Sequence, residues 1–248
     1  MLGIIGGTGL TQLANLEITH RQVMRTPYGE PSGALTFGKI KDHEVVFVAR
    51  HGYGHSIPPH EVNYQANMWA LQAQGVKNIV AIAAVGGIHP DYLPGSIVIP
   101  DQIIDYTHGR KATYFEGNHR SVTHADFTEP YCETMRQQCM KAATMAGEKF
   151  TDGGVYAAVQ GPRLETAAEI NRLDRDGATL VGMTGMPEAV LARELGLCYA
   201  TIAVVANHAA GRNTSKHAIS FDEIDAVLKQ AMQRVRIILE HVVGLDGG

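Results

Sequence analysis

The run YATIAVVAN, residues 199–207, decides the fold class of this chain. It is almost entirely apolar and ends on one small amide, Asn207. Five earlier runs have the same apolar, β-branched character: 2–7, 44–50, 78–87, 95–105 and 178–184. Runs of this kind, bounded by Gly, Pro or polar residues, are typical of strands covered on both faces. Amphipathic stretches that predict helices lie at 63–75, 165–177, 187–196 and from Ser220 onward. The alternation predicts an α/β protein with substantial parallel sheet.

Composition limits the function classes. The chain has 248 residues, of which 45% are hydrophobic and 19% are charged, and this predicts one domain over residues 1–248. A net charge of -4 without a basic stripe makes nucleic acid an unexpected partner. No run approaches the roughly eighteen apolar residues of a membrane span, and the first residues do not resemble a secretion signal. We therefore expect a cytoplasmic protein that binds small molecules and has no membrane partner.

The cysteines and histidines do not predict a metal site. Cys132, Cys139 and Cys198 are odd in number and form no C-x-x-C pair, so we expect reduced thiols and no disulfide framework. The segment ARHGYGHSIPPHEVN, residues 49–63, contains three histidines, but prolines exclude a helix there and no helical i, i+4 pair is present. His55 and His60 are interpreted as loop residues with no assigned role.

Two segments predict an anion site. The segment IIGGTGL, residues 4–10, follows a strand, and its glycines with Thr8 indicate either a tight turn or a phosphate cradle. It lacks both the dinucleotide fingerprint and the P-loop lysine. Arg50 and His51 follow the strand 44–50 directly, and a guanidinium beside an imidazole can bind an oxyanion.

Three further segments predict the remainder of a pocket. The small residues of AAVGG, 83–87, allow a ring or sugar to approach Ala84 closely, although a plain turn explains them equally well. Glu165 begins a helix, where it either complements the helix dipole or accepts N–H donors from a ligand. Met183 and Thr184 lie at a change from strand to helix, where a thioether can cover a sugar and a hydroxyl can complete an anion site.

Six motifs together resemble one known family. GGTG, ARHG, AAVGG, GPRLET, GMTGMPE and VVAN occur in the order and spacing of trimeric purine nucleoside phosphorylases and methylthioadenosine phosphorylases, over almost the whole chain. The resemblance implies a single-domain α/β fold with a central mixed β-sheet flanked by helices. It also implies a homotrimer that cleaves the N-glycosidic bond of a purine nucleoside with inorganic phosphate as co-substrate, without metal or cofactor.

The resemblance also assigns roles by position. Thr8, Arg50, His51 and Thr184 would hold phosphate, Met183 and Ala84 would contact ribose, and Glu165 and Asn207 would face the base. Asn207, Arg50 and His51 are the residues expected to act in catalysis. His124, in the segment NHRSVTHADF, matches a residue that reaches the substrate of a neighbouring subunit.

The two branches of the family differ at the base. The methylthioadenosine branch has aspartate at the positions of Asn207 and Ala209 and serine at that of Glu165, so this chain is similar there to phosphorylases of 6-oxopurines. Its GGTG start and its HAISFDEI segment are similar to the methylthioadenosine branch. Ile219, Phe221 and Ile224 would line an apolar pocket for the 5'-substituent. Ala83 replaces a threonine of many methylthioadenosine enzymes, which leaves open whether position 83 contacts phosphate.

The resemblance to both branches of the family implies phosphorolysis of S-methyl-5'-thioinosine to hypoxanthine and 5-methylthio-ribose 1-phosphate. A neutral amide at Asn207 offers a donor to O6 that an aspartate lacks, and Glu165 can accept the proton of N1–H. Four alternatives remain: a general 6-oxopurine nucleoside phosphorylase, a methylthioadenosine phosphorylase with an altered base pocket, a nucleoside-binding sensor, and a Rossmann-type oxidoreductase. The missing dinucleotide fingerprint disfavours the last.

Overall fold

One mixed sheet runs through the described part of the chain, residues 1–117 and 121–246 of a computed structural model. Its strands are β1 Leu2–Gly6, β2 Glu17–Gln22, β3 Leu35–Ile40, β4 His43–Ala49, β5 Asn78–Gly87, β6 Ile97–Ile99, β7 Gln102–Asp105, β8 Thr151–Asp152, β9 Val155–Ala158, β10 Leu180–Gly182 and β11 Cys198–His208. The helices are α1 Tyr64–Ala73, α2 Glu133–Met145, α3 Ala167–Arg175, α4 Gly185–Glu194 and α5 Phe221–Asp246. A short 3₁₀ helix covers Asn213–Ser215. The α/β class with a central mixed sheet is confirmed.

The centre of the sheet is the parallel pair of β5 and β11. β5 also pairs with β1 in parallel and, near its end, with β10 in antiparallel orientation. β1 pairs with β4 in parallel, so four strands around β5 end close together. Such strand ends are where open α/β sheets bind ligands.

Each of the six apolar runs forms strand structure, but the run 95–105 forms two strands. Pro100 and Asp101 separate β6 from β7, because proline cannot donate a hydrogen bond to a neighbouring strand. No apolar pattern predicts β2, whose six residues are all exposed. Among the described strands, β2 pairs with β3 alone and forms the edge of the sheet.

Capping and burial explain the helices beside the cavity. Thr166 and Glu169 form a reciprocal capping box at the start of α3. Ser220 accepts the backbone N–H of Glu223 at 3.3 Å and so caps α5. α5 buries a stripe at helical spacing that includes Leu228, Met232, Val235, Leu239 and Val242. Burial of each such side chain contributes roughly 1.5–3 kcal/mol, so this stripe fixes α5 against the sheet.

The expectation that all three cysteines are reduced is wrong. Cys132 and Cys198 form a disulfide, with 5.1 Å between their Cα atoms, and Cys139 is free and buried. The two residues are 66 positions apart in sequence, and the fold brings the start of α2 against the start of β11, where the backbone N–H of Cys132 donates to the carbonyl of Tyr199 at 2.8 Å. Sequence spacing alone does not reveal such a pairing.

Within the described ranges, no helix combines the length and apolarity that crossing a membrane requires.

Candidate active site

A cavity of about 640 Å³ lies where β1, β4, β10 and β11 end and against the last half of β5. The residues that line it are Thr8, Arg50, His51, His55, Ser56, Ile57, Pro58, Pro59, Ala83, Ala84, Val85, Gly86, Pro162, Leu164, Glu165, Val181, Gly182, Met183, Thr184, Ala206, Asn207, Phe221, Ile224, Asp225 and Leu228. All six sequence motifs contribute to this set. Another cavity, of about 740 Å³, lies beside the Cys132–Cys198 disulfide and receives none of the predicted site residues.

Arg50 is the central cation of the cavity. It is 1% exposed, and its Nε and Nη2 donate to the two carboxylate oxygens of Glu188 at 2.7 Å each, while Nη1 donates to the carbonyl of Ile82 at 3.0 Å. Burial alone would lower the pKa of the Arg50 guanidinium, but the charge and hydrogen bonds of Glu188 raise this pKa overall. These three bonds use three of the five N–H donors of an arginine and leave two for a ligand.

His51 is held as a neutral imidazole. Its Nδ1 lies 2.8 Å from the carbonyl of Ile57, which can only accept, so Nδ1 carries the proton and Nε2 offers a lone pair. Burial, followed by the charge of Arg50, lowers the pKa of His51 to about 4. Near pH 7 the ring therefore accepts a hydrogen bond at Nε2.

Thr8, His55 and Thr184 complete this end of the cavity. The Thr8 hydroxyl lies 3.1 Å from Nε2 of His55, whose backbone is left-handed with φ 49°. Thr184 lines the cavity immediately before α4, whose backbone is non-helical at Met186, and its side chain lies within hydrogen-bond reach of the Tyr156 hydroxyl. Gly7 has a packing role, since a Cβ there would lie 2.9 Å from Nη1 of Arg50. The end combines N–H and O–H donors that suit an oxyanion.

A β-bulge places Asn207 in the cavity. The register between β11 and β5 shifts between Val205 and Asn207, so Val205 pairs with Val85 and Asn207 pairs with Gly86. Successive side chains of a regular strand point to opposite faces, but an extra residue re-aims the next one. Ala206 and Asn207 accordingly both line the cavity. Nδ2 of Asn207 donates to the carbonyl of His208 at 2.7 Å, which leaves its second N–H and Oδ1 for a ligand.

Glu165 lies in the same cavity, immediately before the Thr166 cap of α3. Burial, aided by the neighbouring charge of Glu169, raises the pKa of Glu165. Glu169, not Glu165, complements the dipole of α3, because it forms an ion pair with Arg163 and takes part in the capping box. These bonds lower the pKa of Glu169 to about 2. Glu165 is therefore not used to cap α3 and can accept a hydrogen bond from a bound ring.

Small residues and a methionine form the walls between the two ends. Ala83, Ala84, Val85 and Gly86 of β5 line one side, and Met183 lines the other. Gly161 allows Met183 this position, because its φ is 59° and a Cβ there would lie 2.4 Å from the Met183 sulfur. A flat ring or sugar fits between such walls.

Arg110 fixes the chain around Met183. Its guanidinium donates to the carbonyls of Met183 and Met186, at 2.7 Å each, and to the carbonyl of Gln160 at 2.8 Å. It also lies over the ring of Tyr64, 5.5 Å from the ring centre. Arg110 thereby links the segment after β9 to the segment after β10, which form one wall of the cavity.

The expected apolar 5' pocket is present in part. Phe221 and Ile224 line the cavity together with Leu228, but Ile219 is absent from the lining and Phe221 is 67% exposed. The carboxylate residue Asp225 also lines this end. The HAISFDEI segment and the start of α5 therefore form a pocket that is apolar except for the carboxylate of Asp225.

Three other residues singled out in the sequence lie outside the lining. Ala209 is 1% exposed and packs in an apolar cluster with Ile88 and Val181, where an aspartate would be surrounded by hydrocarbon. His124 is exposed in the segment after residue 120, and the first three residues of its motif, 118–120, lie outside the described residues. His60 pairs with Glu61 at 3.7 Å, whereas His55 and Ala83 do line the cavity.

No group of three or more His, Cys, Asp or Glu side chains within residues 1–117 and 121–246 could hold a metal ion.

Sequence reasoning missed Glu188 and Arg110. Glu188 belongs to the quoted motif GMTGMPE and is 1% exposed. A buried charge requires a partner, so the need to neutralise Arg50 was a usable signal for Glu188. No sequence signal indicates Arg110, because most of its hydrogen-bond partners are backbone carbonyls that any residue supplies.

The fold and the cavity define an α/β protein with a site that combines an oxyanion-binding end with an amide–carboxylate end. The sequence profile of the Phosphorylase superfamily matches residues 1–244, and the chain belongs to this superfamily. It is 51% identical over 240 residues to a probable S-methyl-5'-thioinosine phosphorylase of Pseudomonas syringae pv. tomato, covering 97% of both chains. It is also 44% identical over 243 residues to a 6-oxopurine nucleoside phosphorylase of Pyrococcus furiosus, covering 96% of this chain and 90% of that protein.

The solved structures agree with this placement. Methylthioadenosine phosphorylase from Schistosoma mansoni in complex with adenine superposes with a TM-score of 0.95 at 33% identity, over 99% of this chain and 91% of that one. The family resemblance inferred from the six motifs is confirmed.

Proposed function

We propose that this chain catalyses the phosphorolysis of S-methyl-5'-thioinosine to hypoxanthine and 5-methylthio-ribose 1-phosphate. The single observation that carries the proposal is the position of Asn207, which a bulge in β11 places in the cavity that also contains Glu165. The names of its relatives support a phosphorylase of 6-oxopurine nucleosides, including S-methyl-5'-thioinosine.

Phosphate binds at the end formed by Thr8, Arg50, His51 and Thr184. The two free N–H donors of Arg50 and the two hydroxyls attract the dianion. Neutral His51 accepts the remaining O–H of hydrogen phosphate at Nε2, since its Nδ1 proton is already donated to Ile57. This contact turns the unprotonated phosphate oxygens toward the sugar.

The base binds at the end formed by Glu165 and Asn207. Ionised Glu165 accepts the N1–H of a 6-oxopurine, and this bond lowers its raised pKa in the complex. The free N–H of Asn207 donates to O6 or N7. As the bond between C1' and N9 breaks, negative charge develops on the purine, so these donor bonds strengthen in the transition state and lower the barrier.

The sugar lies between Ala84 and Met183. The C1'–N9 bond breaks with its electron pair going to the purine, and a phosphate oxygen forms the new bond to C1'. The proton of hydrogen phosphate ends on the departing base, so the reaction balances without metal or cofactor. Positioning and electrostatics supply the catalysis.

The 5'-methylthio group lies against Phe221, Ile224 and Leu228. Because Phe221 is 67% exposed in one chain, we also propose that the site is completed in a homotrimer, with His124 of a neighbouring copy covering this side. Residues 1–248 are proposed to act as one domain. A cytoplasmic location stays a prediction.

A specific observation favours a second candidate, a general 6-oxopurine nucleoside phosphorylase. Asp225 beside the 5' end can accept a hydrogen bond from a free 5'-hydroxyl. Inosine would then compete with S-methyl-5'-thioinosine.

The test is release of hypoxanthine from S-methyl-5'-thioinosine with and without inorganic phosphate, with inosine measured in parallel. The expected result is phosphate-dependent release with the higher kcat/KM for the methylthio substrate. Higher kcat/KM for inosine would favour the second candidate. Binding without release of base would leave only a nucleoside-binding sensor and refute the proposal.

A further inference from the structure

A charged groove continues from the 5' end of the active-site cavity along α5. Its volume is about 410 Å³, and it shares Thr8, Asp225 and Leu228 with that cavity. Because the same three residues line both spaces, a substituent on the 5'-carbon of a bound nucleoside can extend from one into the other.

The groove has an apolar floor. Leu228 and Met232 are 3% and 1% exposed, and the Cβ that Gly9 lacks would meet both side chains at 3.3–3.5 Å. Glycine at position 9 therefore keeps the groove open between the loop after β1 and α5. The floor suits the methylene groups of an alkylthio chain.

The walls carry charges in a fixed order. Asp225, Lys229 and Arg236 follow at spacings of four and seven residues, so they lie on one face of α5. Among residues 1–117 and 121–246, no ion pair involves any of the three, and the buried Nε of Arg236 has no hydrogen-bond partner. One acceptor at the junction and two unpaired cations beyond it are thus available to a ligand.

We infer that the groove binds a zwitterionic amino-acid tail on the sulfur of a 5'-thionucleoside, so that the enzyme also accepts 6-oxopurine 5'-thionucleosides larger than the methylthio compound. The ammonium of the tail pairs with Asp225, and its carboxylate pairs with Lys229, about 6 Å further along the helix axis. Arg236 adds positive potential at the far end. A free phosphate ion fits less well, because Asp225 would repel it.

This inference rests on the proposed phosphorolysis and changes only the 5'-substituent of the nucleoside substrate. In S-inosyl-homocysteine, the C1'–N9 bond breaks and C1' forms a bond to phosphate oxygen. The proton of hydrogen phosphate ends on hypoxanthine, and the thioether bond to the tail stays intact. The products are hypoxanthine and the 1-phosphate of the homocysteine-substituted ribose.

The experiment compares kcat/KM for S-inosyl-homocysteine with kcat/KM for S-methyl-5'-thioinosine in the full-length enzyme. Lys229→Met is expected to lower the ratio of the two values about two- to fivefold, the range for one ion pair at an exposed site. Asp225→Asn is expected to lower it by a similar factor. The matched controls Lys141→Met, on α2, and Asp222→Asn, one turn before Asp225, leave the ratio unchanged.

Analogues with half of the tail separate the two contacts. Turnover of a carboxyethylthio analogue should depend on Lys229, and turnover of an aminopropylthio analogue should depend on Asp225. The inference is wrong if the enzyme does not cleave S-inosyl-homocysteine, or if the ratio of kcat/KM values is insensitive to replacement of Lys229 and Asp225. In either case, cleavage of S-methyl-5'-thioinosine would still support the proposed function. If neither compound is cleaved, the proposed function itself fails. If Lys229→Met instead raises the KM for phosphate equally with both substrates, the groove serves the co-substrate and the inference is wrong.

Discussion

Replacement of Glu188 by glutamine tests the buried contact that holds Arg50. The carboxylate of Glu188 accepts two bonds of 2.7 Å from Arg50 and one of 2.8 Å from the hydroxyl of Tyr199. Glutamine keeps the shape but removes the charge and replaces one acceptor by a donor that faces the guanidinium. Arg50 would then be a buried cation without its partner.

The magnitude follows from burial. Both side chains are 1% exposed, and removal of one partner from a buried ion pair costs about 3–5 kcal/mol of unfolding free energy. For a chain of 248 residues, each kcal/mol shifts Tm by about 2–4 °C, so Glu188→Gln should lower Tm by about 6–20 °C. Inorganic phosphate should raise Tm more in the variant than in the wild type, because the dianion replaces the missing negative charge.

The assay is thermal unfolding over a series of phosphate concentrations, with Glu194→Gln on the same helix as the control. Within the described residues, Glu194 accepts bonds from two neutral donors, the hydroxyl of Thr113 and the backbone N–H of Tyr114, at 2.7 Å each. Its replacement should cost about 1.5 kcal/mol, or about 3–6 °C. If Glu188→Gln lowers Tm no more than Glu194→Gln, or if phosphate stabilises both variants equally, Glu188 does not neutralise Arg50 as proposed.

Three further predictions concern Asn207, His51 and the disulfide. Asn207→Asp should lower kcat/KM for S-methyl-5'-thioinosine at least tenfold, because a carboxylate cannot donate to O6; an unchanged value in steady-state kinetics removes Asn207 from the mechanism. The pKa of His51 falls from 6.5 to about 4 on folding, so between these two pH values the unfolded chain binds one more proton than the folded chain. The free energy of unfolding should therefore decrease by about 3 kcal/mol as pH falls from 6.5 to 4. In urea titrations, His51→Asn should make the free energy of unfolding less dependent on pH over that range, and an unchanged dependence would contradict the assignment. Reduction of the Cys132–Cys198 disulfide, whose cysteines are 66 residues apart, should lower the free energy of unfolding by about 4 kcal/mol. Dithiothreitol should therefore lower the Tm of the Cys139→Ser variant, which keeps the disulfide, and leave the Tm of Cys132→Ser unchanged. Equal responses of the two variants would show that the bond does not stabilise the fold.

The pattern of apolar residues in the sequence was sufficient to predict the strands at the centre of the sheet, but not those at its edges. β5 and β11 are buried on both faces, so their sequences are nearly continuous apolar runs that mark them. β2 is exposed throughout and reads EITHRQ, which carries no buried face to detect. The helix α2 lies in a segment for which no amphipathic pattern was recognised, although it buries Met135, Cys139 and Ala142.

The residues at strand ends could be assigned, but their mutual contacts could not. Thr8, Arg50, Met183 and Asn207 each follow or end a strand, and the sheet brings them together. The partner of Arg50 is 138 positions away in sequence, and the disulfide joins residues separated by 66. Pairings of this range depend on the packed structure, as does the bulge that turns Asn207 into the cavity.

The 5' end shows the same limit. The apolar positions Phe221 and Ile224 were visible in the sequence, whereas Asp225 looked like one more exposed acid of a helix first turn. Only the packing of α5 against the loop after β1 places that carboxylate between the cavity and the groove.

We propose that the carboxamide of Asn207 and the carboxylate of Glu165 together select a 6-oxopurine. The most direct test is the ratio of kcat/KM for S-methyl-5'-thioinosine to kcat/KM for methylthioadenosine at saturating phosphate, since the two substrates differ only at the purine ring. We expect a ratio on the order of a hundred or more, because a 6-amino group cannot accept the N–H of Asn207 and the unprotonated N1 of adenine cannot donate to the carboxylate of Glu165. A ratio of one or less would contradict it.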